Sequence, residues 1–301
     1  FAIIVAAGKG RRMKKAINKI FLPLLDKPMI FHAINAFQDC SAIGKIVVVA
    51  QKNDFKKINE IKAQYNFSKI KNIAVGGNER QDSVYNGLIS IKNAKNDDIV
   101  VVHNGSNPLV RGNEIINCIN EAKKFGAAAA CFPLKDTIKK IKKDFVEKTL
   151  DRNCIYQMQT PQAIKYGIFA DAFKNARNKK LNFTDDVSLV EAIGKKVKIV
   201  NCSYENIKIT TKDDLKIAEG ILMSRNGFSN LRIGFGHDSH SFSSNKSKKL
   251  VLGGYTIPNE TGLEANSDGD LILHALFNAI SSAIGEKSLG HYADSMFKGG
   301  I

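Results

Sequence analysis

No stretch of about 18 consecutive apolar residues occurs in the chain, so no membrane-spanning helix is expected. The apolar opening, Phe1-Ala2-Ile3-Ile4-Val5, is accompanied by neither a basic n-region nor a cleavage site; it reads as a strand, not a secretion signal. Cysteine is scarce. Cys40, Cys118, Cys131, Cys154 and Cys202 are scattered, odd in number and never spaced CxxC. A disulfide framework and a cysteine-based zinc site are therefore not expected, and a reducing cytoplasm fits. Acidic residues are short as well, 29 against 45 Lys and Arg, for a net charge of +16. Such an excess attracts anions without choosing between nucleic acid and phosphorylated metabolites. No aromatic-interleaved basic stretch of the RNA-binding kind is present, so no nucleic-acid partner is expected. The lysines spread along segments such as Asp54–Lys62 and Lys135–Lys143, which read as helix-like with solvated faces. Internal repeats, low-complexity tracts, a Walker A sequence and a GxGxxG run are also missing.

What is present organises the chain. Its 301 residues, 44% apolar, suit one large and one smaller unit. Short β-branched runs recur at Ile3–Val5, Ile46–Ala50, Ile73–Val75, Ile99–His103, Ala127–Pro133 and Val197–Val200. Amphipathic helical patterns lie between them, as at Met29–Phe37, Val84–Ile91, Glu114–Lys124 and Phe169–Asn178. Strands alternating with helices predict an α/β fold with a mostly parallel sheet over residues 1–224. Pro28 stands where a helix starts and a missing N–H is tolerated. Residues 225–230, Arg-Asn-Gly-Phe-Ser-Asn, read as a linker. A second unit over residues 231–301 is expected to hold a strand pair, Arg232–His237 with Leu250–Ile257, and a helix from about Gly269 to Ile284.

Directly after the first strand comes Ala6-Ala7-Gly8-Lys9-Gly10-Arg11-Arg12-Met13. Glycines let backbone N–H groups approach phosphates, and three cations stand close together here. In an open α/β sheet, ligands sit at the carboxyl ends of strands, where this loop is. Lys19-Ile20-Phe21-Leu22-Pro23-Leu24 follows. Together these segments resemble the sugar-nucleotide pyrophosphorylase superfamily, with its AAGxGxRM signature and a following Lys, on a Rossmann-like sheet. Closer still is the resemblance to the cytidylyltransferases of the methylerythritol phosphate route to isoprenoids. It is carried by Gly76-Gly77-Asn78-Glu79-Arg80-Gln81-Asp82-Ser83-Val84, Lys135-Asp136-Thr137-Ile138-Lys139, Thr160-Pro161-Gln162, Phe183-Thr184-Asp185-Asp186 and Asn206-Ile207-Lys208-Ile209-Thr210. These run in family order across nearly all of residues 1–222.

The resemblance implies attack by a phosphate-monoester oxygen on the α-phosphorus of CTP, with pyrophosphate leaving. Charge builds on non-bridging oxygens, so fixed cations should supply most of the catalysis. By resemblance, Arg12, Lys19 and Lys208 are catalytic cations, and Ala6, Ala7, Gly8, Gly10, Gly76, Arg80 and Ser83 bind the nucleotide. Thr137, Arg152 and Thr184 hold the acceptor phosphate, Arg152 reaching from a second subunit. Read without the family, Thr184-Asp185-Asp186 is equally an N-cap, Thr160-Pro161-Gln162 a turn, Lys208 a solvated strand lysine and Arg152 a surface arginine. The chain departs from the family at Val102-His103-Asn104-Gly105-Ser106-Asn107-Pro108, where an Asp usually follows the His and an Arg precedes the Pro. The Asp would ligate Mg²⁺, whereas Asn104 offers a neutral oxygen.

A second constellation follows the linker. Asp238-Ser239-His240 places residues i and i+2 on one face of an extended chain, and His274 follows Ser267-Asp268-Gly269-Asp270 on a helix. One carboxylate and two imidazoles suit a three-ligand Zn²⁺ site, or one for another divalent cation, with a position open for substrate. Asp270, four residues before His274, is expected to orient it. Arg232-Ile233-Gly234-Phe235-Gly236-His237-Asp238-Ser239-His240 and Asn266-Ser267-Asp268-Gly269-Asp270-Leu271-Ile272-Leu273-His274 resemble the methylerythritol cyclodiphosphate synthases. That family implies a metal triad of Asp238, His240 and His274, trimers, and release of CMP by attack on a β-phosphorus. Departures stand at Asn266, where the family has His, at Asn278, where it has Asp, and at Lys287-Ser288-Leu289-Gly290 in place of GDIG. The match stops at Ile301, so the resemblance is to a partial α+β domain.

The sequence thus leads to a cytidylyltransferase with Mg²⁺, dimeric through its first domain, followed by a partial cyclodiphosphate synthase. The alternatives are a cytidylyltransferase for another polyol phosphate, such as ribitol 5-phosphate, and a nucleic-acid-binding protein drawn by the positive charge.

Overall fold

The computed structural model describes residues 1–8, 18–226, 232–265 and 269–292. The chain divides into two compact units, Phe1–Leu222 and Met223–Ile301. No helix among the described residues is long and apolar enough to cross a membrane.

The first unit opens with β1 (Ala2–Val5), a 3₁₀ turn (Lys19–Phe21) and the two-residue strands β2 (Pro23–Leu24) and β3 (Lys27–Pro28). Then come α1 (Met29–Asp39), β4 (Ile46–Ala50), α2 (Phe55–Gln64), β5 (Ile70–Val75), α3 (Arg80–Ile89), β6 (Ile99–Asn104) and α4 (Gly112–Phe125). The chain continues through β7 (Ala127–Pro133), β8 (Lys139–Lys142), β9 (Phe145–Thr149), β10 (Tyr156–Lys165), α5 (Tyr166–Asn178), α6 (Asp186–Glu191), β11 (Lys198–Asn201) and α7 (Lys212–Asn226).

Seven strands form one sheet in the order β11-β7-β10-β6-β1-β4-β5. β1 pairs in parallel with β4 and β6, β4 with β5, and β11 with β7. β10 alone runs antiparallel to its neighbours. Successive strand residues face opposite sides, and both sides are apolar. Ile4, Val48 and Val101 pack with Ile34, Phe37 and Ile119 on one face. Ile3, Val47, Val49 and Val102 pack with Val84, Leu88, Phe169 and Phe173 on the other. Burial on both faces explains why these strands read as unbroken apolar runs. Burying each such large side chain contributes about 1.5–3 kcal/mol. The strand order reverses at β1, whose neighbours β4 and β6 lie to either side. That reversal opens a crevice outside the carboxyl ends of β1 and β6.

Four local expectations change. The lysine-rich stretch 135–143 is not helical, because Lys139–Lys142 is β8 of a hairpin. Lys143 and Asp144 both take positive φ, the twist-matched geometry of a two-residue hairpin turn. Thr160-Pro161-Gln162 is no turn; it lies inside β10, where the register with β7 shifts between Met158 and Gln162. A bulge of this kind admits a proline into an interior strand. Arg232–His237 is no strand either. In the second unit β12 (Lys249–Leu252) pairs with β13 (Tyr255–Thr261), ahead of α8 (Leu271–Ile284). Finally, α7 includes Arg225 and Asn226 of the expected linker, and residues 227–230 lie outside the described residues.

Candidate active sites

The crevice at the strand reversal is a cleft of about 450 Å³, within the range of small-molecule sites. Its floor is the chain leaving β1. Ala6, Ala7 and Gly8 line it, with Asn104 and Ser106 from the end of β6. Ala6 N–H donates to Val49 O at 2.7 Å, and Gln51 Nε2 donates to Ala7 O, also at 2.7 Å. Gly76 sits behind this wall. A Cβ there would come within 2.2 Å of Ala7 Cβ, so glycine lets the end of β5 close on the loop. Gly77, Asn78, Glu79, Arg80 and Ser83 form the wall at the start of α3.

Besides Arg80, two lysines belong to the described lining. Lys19 and Lys208 both line the cleft. Lys19 Nζ donates to Ile209 O at 2.8 Å, and Ile209 N–H to Ser106 O at 2.8 Å. The segment bearing Lys208 is an extended loop after β11, not a strand. Arg12 and Gly10 lie outside the described residues. The one carboxylate among the described lining residues is Glu79.

Asn104 and Asn107 differ in burial. Asn104 faces the cleft, and its Oδ1 accepts from Arg80 Nε at 3.3 Å. Its amide is neutral and already engaged. The residues present therefore do not make a protein-held Mg²⁺ site at this position. Asn107 is fully buried. It donates to Gln159 Oε1 at 3.4 Å and Asn206 O at 3.3 Å, within an interior amide network. Its departure from the family concerns that network, which reaches the cleft through Asn104 Nδ2, a donor to Asn107 Oδ1 at 3.3 Å.

His103, beside them, is fully buried, and its Nε2 donates to Asn107 O at 2.9 Å. Burial pushes the imidazole down to about 4, helped by nearby Arg80 and opposed by the Asn107 carbonyl. Between that value and the unfolded 6.5, the unfolded chain binds more protons, so stability falls as pH falls through this window. By pH 5 the first unit should lose about 2 kcal/mol relative to neutral pH from this group. Urea unfolding at the two pH values checks this. His103→Gln, which keeps an N–H donor, should flatten the dependence. An equally steep loss in the variant would place the acid sensitivity elsewhere.

Arg80 is held from behind. Its Nη1 and Nη2 donate to Asp186 Oδ1 and Oδ2 at 2.9 and 2.6 Å. Burial opposes the guanidinium charge, but the Asp186 carboxylate more than offsets it and raises Arg80 above its ordinary range. Asp186 itself is buried at the first position of α6. The N-cap is Asp185, whose side chain accepts from Ser188 N–H. Thr184, one residue earlier, is exposed. Thr137 and Arg152 are exposed too and lie outside the cleft lining. Arg152 Nη1 donates to Lys135 O at 2.6 Å, at the base of the β8–β9 hairpin.

The second unit gathers Asp238, His240 and His274 into a group able to hold a metal ion, their ligand atoms within 4.8 Å of one another. His274 Nδ1 lies 2.9 Å and His240 Nε2 3.3 Å from Asp238 Oδ2. A carboxylate with two imidazoles is a donor set that suits zinc or a similar divalent ion. Glycines bring the chain in. Cβ atoms at Gly234 and Gly236 would stand 1.8 Å from Ala279 O and 1.9 Å from Ala275 O. Two strand residues advance about as far as one helical turn, so the extended segment descends α8 until Asp238 meets His274. Asp270 plays a different part from the one expected. Its carboxylate caps α8 by accepting from Ile272 and Leu273 N–H, and also accepts from Gly253 and Gly254 N–H in the β12–β13 turn. It fixes the helix that carries His274, while Asp238 receives the ring. Asn278 donates to His237 O at 3.4 Å and accepts from Leu289 N–H at 2.9 Å, a double role that an ionised Asp cannot fill. Asn266 lies outside the described residues.

Residues 1–224 match the family described as 2-C-methyl-D-erythritol 4-phosphate cytidylyltransferase. The chain belongs to this family. Residues 231–299 match the YgbB family. The bifunctional enzyme IspD/IspF of Desulfotalea psychrophila is 38% identical over 295 residues, 97% of this chain and 75% of that protein. The 2-C-methyl-D-erythritol 4-phosphate cytidylyltransferase of Clostridioides difficile is 47% identical over 222 residues, 73% of this chain and 92% of that protein. Among solved structures, the bifunctional IspDF from Campylobacter jejuni covers 99% of this chain and 73% of its own, with 28% identity and a TM-score of 0.57. The 4-diphosphocytidyl-2C-methyl-D-erythritol synthase from Anaerococcus prevotii covers 73% of this chain and 94% of its own, with 28% identity and a TM-score of 0.65. The chain is accordingly a cytidylyltransferase-family enzyme with a YgbB-family unit behind it, the arrangement of the bifunctional enzymes.

Sequence reasoning missed several residues of this cytidylyltransferase cleft. Gln51, Ser106 and Thr210 line it without having been singled out. Gln51 follows β4 directly, and a polar residue at the carboxyl end of a buried strand was the available signal. Asp186 ends the Phe183-Thr184-Asp185-Asp186 motif, but nothing in the sequence ties it to Arg80.

Proposed function

We propose that residues 1–224 transfer CMP from CTP to 2-C-methyl-D-erythritol 4-phosphate, and that residues 231–301 supply the metal-holding part of a cyclodiphosphate synthase. The observation that carries the first reading is the meeting of the loop after β1 with Lys19 and Lys208 in one cleft at the strand reversal. An oxygen of the acceptor's phosphate attacks the α-phosphorus of CTP. The new P–O bond forms as the bond to the β-phosphate oxygen breaks, and pyrophosphate leaves with that electron pair. Lys19 and Lys208, with Arg12, face the charge that accumulates on the non-bridging oxygens. Ala7, Gly8 and Gly10 offer backbone N–H groups to the phosphates beside Ala6, whose own N–H is held by Val49 O, while Gly76, Arg80 and Ser83 form the base and ribose end. Thr137, Arg152 and Thr184 receive the acceptor phosphate. Phosphorus NMR of a CTP reaction tests this. The expected products are pyrophosphate and a diphosphate diester in equal amounts; CDP or CMP with no diester would sink the reading.

The acceptor residues on the hairpin support a dimer. Every residue of β8 and β9 is exposed, Phe145 to 79% and Val146 to 60%. A two-stranded hairpin is marginal alone in water, and a second copy packed on it would bring its own Arg152 toward the partner's cleft. For the second unit, exposed Ile272, Leu276, Ile280 and Ile284 along α8 support association into trimers.

Asp238, His240 and His274 would hold Zn²⁺ or another divalent cation, which polarises a substrate phosphate when bound. The three side chains bring one ligand atom each within 4.8 Å of one another, and Asp270 fixes the helix that carries His274. His240→Ala is expected to cut bound zinc at least tenfold after dialysis while CTP consumption stays parental. Equal metal content in variant and parent would remove the triad.

A further inference from the structure

Arg80 lines the nucleotide cleft, and the protein itself cancels its charge. Both its terminal nitrogens are bound by Asp186 in a two-point fork, and its Nε meets Asn104 Oδ1. Asp186 is 1% exposed, against 24% for the Arg80 side chain. The carboxylate is locked in turn. Gln162, also buried, accepts from Asp186 and Val187 N–H at 2.9 and 3.0 Å, and donates to Gln159 O and Asp185 Oδ2 at 3.2 and 3.1 Å. All the hydrogen-bonding capacity of Gln162 goes into fixing the start of α6 against β10. A guanidinium has five N–H donors. Three are taken by Asp186 and Asn104, which leaves one N–H on each terminal nitrogen of a side chain that lines the cleft.

We propose that Asp186 is a specificity-determining, positioning residue. It turns Arg80 from a phosphate-binding cation into one half of a neutral pair whose free donors suit the uncharged base and ribose. Phosphates are thereby left to the wall of Lys19 and Lys208, and the nucleotide has one way to lie. A free arginine on the α3 wall would compete for the triphosphate, because a guanidinium fork matches phosphate oxygens as well as it matches a carboxylate.

This inference rests on the cytidylyltransferase reading of the cleft. Its test is steady-state kinetics on the full chain with CTP as substrate and inorganic triphosphate as inhibitor. Asp186→Asn should raise KM for CTP about tenfold and lower Ki for triphosphate by a similar factor. A purely structural role would weaken both ligands together, and that result, or no change in either, would overturn the proposal. Should this variant fail to fold, Arg80→Leu with Asp186→Leu replaces the buried pair by apolar groups. The double variant should raise KM for CTP about tenfold and leave triphosphate inhibition as in the parent; an unchanged KM for CTP would overturn the proposal. A parent chain that consumes no CTP with any polyol phosphate would remove the underlying reading and this inference with it. An active parent whose Asp186→Asn variant matches it removes the inference alone.

Discussion

Lys19→Ala is expected to lower kcat for pyrophosphate release by about 10²–10³-fold, the cost of losing one preorganised charge aimed at a developing oxyanion. The side chain stands on a 3₁₀ turn beside the loop after β1, and its Nζ reaches across to the Ile209 carbonyl. It therefore both lines the cleft and ties its two cationic segments together. Folding should survive, because Ile20 and Phe21, not Lys19, bury the turn. The hydrogen bond to the Ile209 carbonyl is lost, worth about 1.5–3 kcal/mol for a charged donor. The check is single-turnover chemistry alongside a melting curve. Turnover close to parental in a folded variant would take Lys19 out of the reaction. A fall in both turnover and melting temperature would mean the bond to Ile209 matters more than the charge.

Gly236→Ala carries the largest expected effect in the second unit. The added Cβ would lie 1.9 Å from Ala275 O and 2.4 Å from Ala279 N, both backbone atoms of α8 that cannot turn aside. The extended segment has to lift, and Asp238 and His240 lift with it. Zinc affinity should fall about 10–100-fold, as when the groups that orient metal ligands are disturbed. CTP turnover should not change. Gly290→Ala serves as the control, since nothing lies within 4 Å of a Cβ there. Metal titration of both variants decides. Parental affinity in Gly236→Ala would mean that the glycine contact does not set the triad.

The alternating architecture was legible because the central strands of the large sheet are buried on both faces, and β4 and β7 fall where their apolar runs begin and end. β10 was not. Its interior holds Gln159, Thr160 and Gln162, all buried, and a polar stretch with a proline reads as a turn unless its partners are known. Those partners, Asn107, Asn206 and the start of α6, come from three distant parts of the chain. The same distance hid the role of Asp186. Sequence offered two adjacent aspartates before a helix, and only the fold distinguishes the cap, Asp185, from the clamp on Arg80. Asn104 and Asn107 looked alike as departures, yet one faces the cleft and the other is interior. Asp238 and His240 were legible as a pair because an extended chain puts residues i and i+2 on one face, whereas the distant His274 was joined to them by the family resemblance. The glycines that press the two together left no such periodic mark.

The most direct test of the central claim is pyrophosphate release from CTP and Mg²⁺, with 2-C-methyl-D-erythritol 4-phosphate and ribitol 5-phosphate as parallel acceptors. Release with methylerythritol phosphate and little with ribitol phosphate is the expected result. Release only with ribitol phosphate, or with neither in a folded chain, would contradict the account.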